Sequence, residues 1–231
     1  MTKYAMCIDP NKCIGCNACR IACQMQWSLS PAVYFNRLEE HVEGEYPKLS
    51  RVIVPVQCQH CDQPPCEKVC PTKATYKRED GVVLIDSDKC IKCKYCMAAC
   101  PYNARVLNED GLPQKCSFCA DYVAKGGIPA CVSTCMCKVR IFGDIDDPGS
   151  EISEYLASHQ TVRIQGTSMY YVPPVKMDSS VLPPACVTPI HVNVLKDVAQ
   201  PVSKGILGLA AAAVVGGVVL NNAKGGDKNH E

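Results

Sequence analysis

Large aromatic side chains are scarce here: three Phe and one Trp in 231 residues, with aromatics 6% of the chain. The interior is therefore not organised around big rings. An excess of charge of either sign is also missing. Lys and Arg number 24 and Asp and Glu 23, a formal net charge of +1. That balance leaves no electrostatic footprint for nucleic acid. Met1 to Met6 run into a Cys-containing segment without an apolar h-region, so no secretory leader is expected. A nucleotide loop is missing too, because Gly205-x2-Gly208 lies in an apolar run without the context of a dinucleotide fingerprint. No acid–base or nucleophile constellation stands apart from the cysteines. The chain has no evident substrate site, and its chemistry rests on sulfur.

Sulfur is abundant. Of 19 cysteines, sixteen fall into four ordered groups. These are Cys13-Cys16-Cys19-Cys23, Cys58-Cys61-Cys66-Cys70, Cys90-Cys93-Cys96-Cys100 and Cys116-Cys119-Cys131-Cys135. Groups one and three read C-x2-C-x2-C-x3-C. Group two reads C-x2-C-x4-C-x3-C and group four C-x2-C-x11-C-x3-C. A disulfide scaffold suits short secreted chains in oxidising compartments, and neither the length nor the odd cysteine count fits it. Structural zinc favours paired C-x2-C knuckles separated by a long gap. Here three cysteines fall within seven residues, twice, and Cys70-Pro71 and Cys100-Pro101 complete the C-P ending of the bacterial ferredoxin run. Four thiolates hold one [4Fe–4S] cluster, so four groups imply four clusters and a wire for single electrons.

In two-cluster ferredoxins the fourth Cys of each run ligates the other cluster. Groups two and three are consecutive and share the Cys-Pro ending. One cluster then takes Cys58, Cys61, Cys66 and Cys100, and its partner takes Cys90, Cys93, Cys96 and Cys70. Groups one and four pair across that module. One cluster takes Cys13, Cys16, Cys19 and Cys135, and the other Cys116, Cys119, Cys131 and Cys23. Cys137 is two residues past Cys135, but the C-x3-C step from Cys131 favours Cys135. Cys7 and Cys186 read as ordinary buried thiols. His60 reads as a packing or hydrogen-bonding residue. Lys89, Lys92 and Lys94 flank group three; they either favour a reduced cluster there or are solvated loop lysines.

The expected fold is α+β: two bacterial-ferredoxin-like units, each holding two clusters, with an extended C-terminal arm and an apolar tail helix. Residues 1–57 and 105–165 make the first unit and 58–104 the inserted one. Residues 166–203 make a proline-rich arm, 204–222 a candidate membrane helix and 223–231 a polar tail. Glu79-Asp80-Gly81 and Glu109-Asp110-Gly111 mark hairpins. Val52 to Val56 and Val139 to Phe142 read as strands, and Ser150 caps a helix over about 151–158 with Ile152, Tyr155 and Leu156 on its apolar side. Residues 24–51, with Trp27, Tyr34, Phe35 and Tyr46, form an insertion that either faces a partner or packs as a satellite. The run Gly205 to Leu220 would span about 24 Å as a helix, short of the ~30 Å hydrocarbon core. Gly208, Ala212 and Gly216 give it a small-xxx-small stripe suited to close helix contact in a membrane.

This layout resembles the iron–sulfur (beta) subunits of the molybdopterin oxidoreductases, among them dimethyl sulfoxide, polysulfide, thiosulfate, tetrathionate and arsenate reductases and some formate dehydrogenases. The resemblance covers about residues 4–148. It rests on Lys12-Cys13-Ile14-Gly15-Cys16, Cys61-Asp62-Gln63-Pro64-Pro65-Cys66, Cys70-Pro71-Thr72, Ala99-Cys100-Pro101-Tyr102, Lys115-Cys116-Ser117-Phe118-Cys119 and Gly143-Asp144-Ile145-Asp146-Asp147-Pro148. It implies that this chain carries electrons between a molybdopterin catalytic subunit and an integral membrane quinone- or haem-binding subunit, with no catalytic site of its own. Cys at all sixteen positions implies four [4Fe–4S] clusters. The departures are Met136-Cys137, where the family has a proline, and the apolar run, which is similar to an anchor in some formate dehydrogenase relatives. The competing class is a polyferredoxin-type or hydrogenase-linked carrier without molybdenum. A membrane-associated location is expected, on the cytoplasmic face or exported with a signal-bearing partner; lysines on both sides of the apolar run fix no orientation.

Overall fold

A computed structural model describes residues 2–186 of the protein. The candidate membrane helix, the polar tail and residues 187–203 of the proline-rich arm lie outside the described residues. Within them, no helix is long and apolar enough to cross a membrane.

Strand β1 (Tyr4–Ile8) is the centre of the body. Ala5, Met6, Cys7 and Ile8 are each at most 1% exposed, as an unbroken apolar strand covered on both faces requires. Helix α1 (Ala18–Gln26) follows, then a long antiparallel hairpin of β2 (Asn36–Glu45) and β3 (Lys48–Gln57). A one-turn helix α2 (Pro65–Lys68), a hairpin of β4 (Thr75–Lys77) and β5 (Val83–Ile85), and a second one-turn helix α3 (Tyr95–Ala98) form the inserted module. The small hairpin of β6 (Val106–Leu107) and β7 (Pro113–Gln114) leads into α4 (Ala120–Val123) and α5 (Ala130–Ser133). The fold closes with β8 (Arg140–Asp144), α6 (Glu151–Ser158), β9 (Val162–Arg163) and β10 (Met169–Tyr171).

Four of these strands form one sheet in the order β8-β1-β10-β9. β1 runs antiparallel to β8, with Met6 opposite Phe142, and parallel to β10, with Met6 opposite Met169. One face of β1 (Ala5, Cys7) packs with Ile141 and the fully buried Ile152 of α6. The other face (Met6, Ile8) joins the main core with Val54, Phe118, Tyr171 and several cysteines. The cap of α6 is built as its sequence demands: Ser150 Oγ accepts from the Ser153 N–H at 3.3 Å and donates to the Asp144 carbonyl at 2.6 Å.

The architecture is α+β, with helix pairs carrying the cysteines. α1 packs on α5, from groups one and four, and α2 packs on α3, from groups two and three. Met169–Tyr171, expected to lie in the arm, instead form β10, an inner strand of the four-stranded sheet. Residues 2–186 belong to a single compact unit in which the inserted module is merged with the rest.

Candidate iron–sulfur sites

All 19 cysteines are free thiols. They stand around cavities instead of converging on one point, and among the described residues no three His, Cys, Asp or Glu side chains are grouped to hold a single ion. Cys23, Cys116, Cys119 and Cys131 line a first cavity. Cys13, Cys16, Cys19 and Cys135 line a second, with Cys137 on the same wall. Cys58, Cys61, Cys66 and Cys100 line a third. Four thiols at each suit one kind of multi-iron group. The remaining set is more open. Cys70, Cys90 and Cys93 are half-buried while Cys96 is buried, with the Cys90 and Cys93 thiols close enough to act on it.

The backbone around the thiols is repetitive. Among the described residues ten non-glycines have positive φ, and nine of them lie in the cysteine loops; Ser28 is the exception. The second residue between the first two cysteines is left-handed in every group: Gly15, His60, Lys92 and Phe118. The third residue past the last cysteine is left-handed in groups two, three and four: Lys73, Asn103 and Lys138. Each such non-glycine costs of order 1–2 kcal/mol. The geometry turns backbone N–H groups inward, the nest arrangement that binds anions. Ala104 donates to Cys100 Sγ at 3.5 Å, Phe118 to Cys116 Sγ at 3.5 Å and Val139 to Cys135 Sγ at 3.3 Å. Gly15 has a steric role as well, since a Cβ there would lie 2.7 Å from Ile53 Cδ1.

Burial holds seven of these thiols protonated in the absence of a counter-charge. It pushes Cys23 up to about 12 and Cys131 up to about 11, and lifts Cys13, Cys61, Cys66, Cys96 and Cys116. At Cys70 a smaller burial effect is overcome by the N–H groups of Thr75, Ala74 and Thr72 and the Thr72 hydroxyl, and the thiol is lowered. Sulfurs in such holes become thiolates when a cation replaces the proton, so metal loading releases protons and stabilises the fold together. Walls of four thiols and inward N–H groups both fit an anionic iron–sulfur cube.

The sites follow one another in a row. Arg140 lines both the second and the first cavities. Cys116 of the first packs against the cluster of Cys58, Cys61, Tyr102 and Ala104 at the third. Between these two cavities, the rings of His60 and Phe118 stack at 3.7 Å, and His60 Nδ1 accepts from the Val83 N–H at 3.0 Å. Arg105 lines the third cavity and faces Cys66 and Cys96, which links it to the open set.

Two families described as 4Fe-4S dicluster domains match, over residues 49–145 and 12–74. The sequence is 45% identical over 169 residues to the B component of the polysulfide reductase of Wolinella succinogenes, covering 70% of this protein and 86% of the relative. It is 41% identical over 155 residues to the B component of the anaerobic dimethyl sulfoxide reductase of Escherichia coli, covering 63% and 76%. It is 42% identical over 177 residues to the B component of the sulfite dehydrogenase of Allochromatium vinosum, covering 66% and 73%. This protein belongs to the iron–sulfur subunits of the molybdopterin oxidoreductase family. It is an electron-transfer subunit with four [4Fe–4S] clusters.

Several residues of this iron–sulfur subunit escaped sequence reasoning. Arg105, Lys115 and Arg140 are buried beside the thiols. A shared offset could have exposed two of them, because Arg105 and Arg140 each lie five residues past the last cysteine of their group. Lys89 and Lys92, singled out from sequence, are engaged elsewhere: Lys89 pairs with Asp86 at 2.8 Å and Lys92 donates to the Asp110 carbonyl at 3.0 Å. Cys7 is fully buried as expected. Cys186 is not an ordinary buried thiol; it is half-buried and packs with Cys61 and Tyr102 at the third cavity. The insertion splits in role: Trp27 and Phe35 line the first cavity, whereas Tyr46 at the hairpin tip is 89% exposed.

Proposed function

We propose that this subunit relays electrons between a molybdopterin catalytic subunit and an integral membrane quinone- or haem-binding subunit of an anaerobic respiratory complex. The ligand sets are Cys13, Cys16, Cys19 and Cys135; Cys23, Cys116, Cys119 and Cys131; Cys58, Cys61, Cys66 and Cys100; and Cys70, Cys90, Cys93 and Cys96. The observation that carries the reading is the row of thiol-walled sites, with Arg140, Cys116 and Arg105 at its junctions. Bound there, the clusters pass single electrons. The protein holds the thiols apart, shields them from water and aims N–H groups at them.

The ends of the row supply a second support. Ile14 and Met136, on the rim of the second cavity, are 63% and 79% exposed. At the other end Ile91 and Tyr95 of group three are 63% and 51% exposed. Apolar side chains left in water at both termini suit two protein partners. Membrane association then follows from the partner, and from residues 205–220 if they insert. The names of the relatives include reductases and a dehydrogenase, so the direction of flow belongs to the complex.

The test is anaerobic purification of the native complex through a tag on this subunit, with metals quantified. About sixteen Fe from this subunit, four irons in each of four cubes, with Mo or W near one per complex, is the expected result. Iron at that level without Mo or W would favour a polyferredoxin or hydrogenase-linked carrier. Zinc in place of iron would overturn the assignment.

A further inference from the structure

Among the described residues three Lys or Arg side chains are buried: Arg140, Lys115 and Arg105, at 3%, 6% and 5% exposure. Removing a cation from water costs several kcal/mol unless an opposite charge answers it. No ion pair among the described residues uses any of the three. The one buried carboxylate among them, Asp9, pairs with Lys12.

The two arginines face sulfur instead, and Lys115 lies close enough to act on Cys66. Arg140 donates through Nη1 to Gln57 Oε1 at 2.8 Å, while its Nη2 has no partner. Burial opposes its charge, yet thiolates at Cys131, Cys19 and Cys116 would hold it above its ordinary value. Those cysteines belong to both cavities that Arg140 lines. None of the three side-chain nitrogens of Arg105 finds an oxygen or nitrogen partner; what they face are the thiols of Cys66 and Cys96. Again burial opposes the charge, and Cys66, Cys96 and Cys58 outweigh it. Lys115 lines the third cavity and donates to the carbonyls of Val83 and of Cys116, itself in the first cavity. Four sites in a row have three gaps, and each gap holds one buried cation.

We infer that Arg140, Lys115 and Arg105 are shared counter-charges, one per gap, each raising the reduction potential of the clusters on both sides of it. The inference rests on the ligand sets proposed above. An added electron makes a cube more negative, and a fixed positive charge nearby favours that state. Charge is one of the levers that spread such potentials over about −700 to +450 mV. A cation set between two clusters acts on both, so it raises the wire without creating a step within the pair.

The experiment is a potentiometric titration followed by electron paramagnetic resonance on the native complex, with iron counted. The variants are Arg140→Gln, Lys115→Gln and Arg105→Gln, each beside its charge-keeping version, Arg140→Lys, Lys115→Arg and Arg105→Lys. The expected result is unchanged iron and a lowered potential in two clusters per neutral variant. Arg140→Gln and Arg105→Gln move different pairs, and Lys115→Gln moves one cluster of each pair. The fall should reach tenfold in the ratio of reduced to oxidised cluster at fixed potential, about 59 mV for a one-electron couple. Charge-keeping variants stay near the native values. Unmoved potentials, or an equal shift in all four clusters, would overturn the inference while leaving the row intact. If a neutral variant loses iron, its charge-keeping version decides: it must stay loaded with near-native potentials, and failure to do so rejects the idea. Fewer than four clusters in the native complex would remove the row itself, a separate failure visible before any variant is made.

Discussion

Three thiols remain when the sixteen proposed ligands are set aside, and their surroundings differ. Cys7 is fully covered between β1 and α6; burial first, then Asp9, pushes its thiol up to about 12. Cys137 and Cys186 are half-buried. Thiolate character and access together govern alkylation. Iodoacetamide added anaerobically to the loaded subunit is therefore expected to label Cys137 and Cys186, and to spare Cys7 and the sixteen. Peptide mass mapping reads this directly. A labelled Cys135 beside a protected Cys137 would exchange the two as ligands, a swap that the shared cavity wall makes chemically available.

At the scale of elements, the loop of group one is held by its approach to the β2–β3 hairpin. Gly15 sits at φ +73°, and a Cβ would lie 2.7 Å from Ile53 Cδ1. Gly15→Ala is expected to combine a left-handed penalty of about 1–2 kcal/mol with this overlap, and to loosen the second cavity first. Thermal loss of cluster absorbance should come several degrees earlier, and Ile53→Val, which removes the offending methyl, should recover part of the loss. No recovery would place the whole cost in the backbone. Local elements of this kind were the legible part of the sequence. Ser150 and the spacing of Ile152, Tyr155 and Leu156 specify α6 within a dozen residues, and Glu79-Asp80-Gly81 specifies the β4–β5 turn. The parallel pairing of β1 with β10 joins residues some 160 apart, and nothing local announces it. Arg105 and Arg140 were hidden for the same reason: an arginine in or beside a short strand reads as solvated until the fold buries it beside sulfur. The cysteine spacing could be read because each C-x2-C loop builds its own nest, whereas what sits between two nests depends on the whole fold.

At the scale of the molecule, the main core and the metal sites are one object. Cys19 and Cys131 pack in the same cluster as Met6, Val54, Phe118 and Tyr171, and the sparse aromatics offer little apolar mass to replace an absent cube. Without iron the cavities lose what fills them, the buried thiols revert to their protonated form, and Arg140 and Arg105 lose their counter-charge. A buried cation left without its partner typically costs about 3–5 kcal/mol, a large share of the total stability of a domain. One region is built differently: Ala5, Cys7, Ile141 and Ile152 pack between the sheet and α6 without any proposed ligand. Chelation of iron under reducing, anaerobic conditions is therefore expected to abolish amide-exchange protection around all four cysteine groups, with β1, β8 and α6 losing it last. Retained protection in the cysteine loops would mean that the apo protein is preformed and that the left-handed loops need no anion to hold them. Simultaneous loss everywhere would make the sheet and the metal sites a single cooperative unit, and the order of loss would then carry no information about the row.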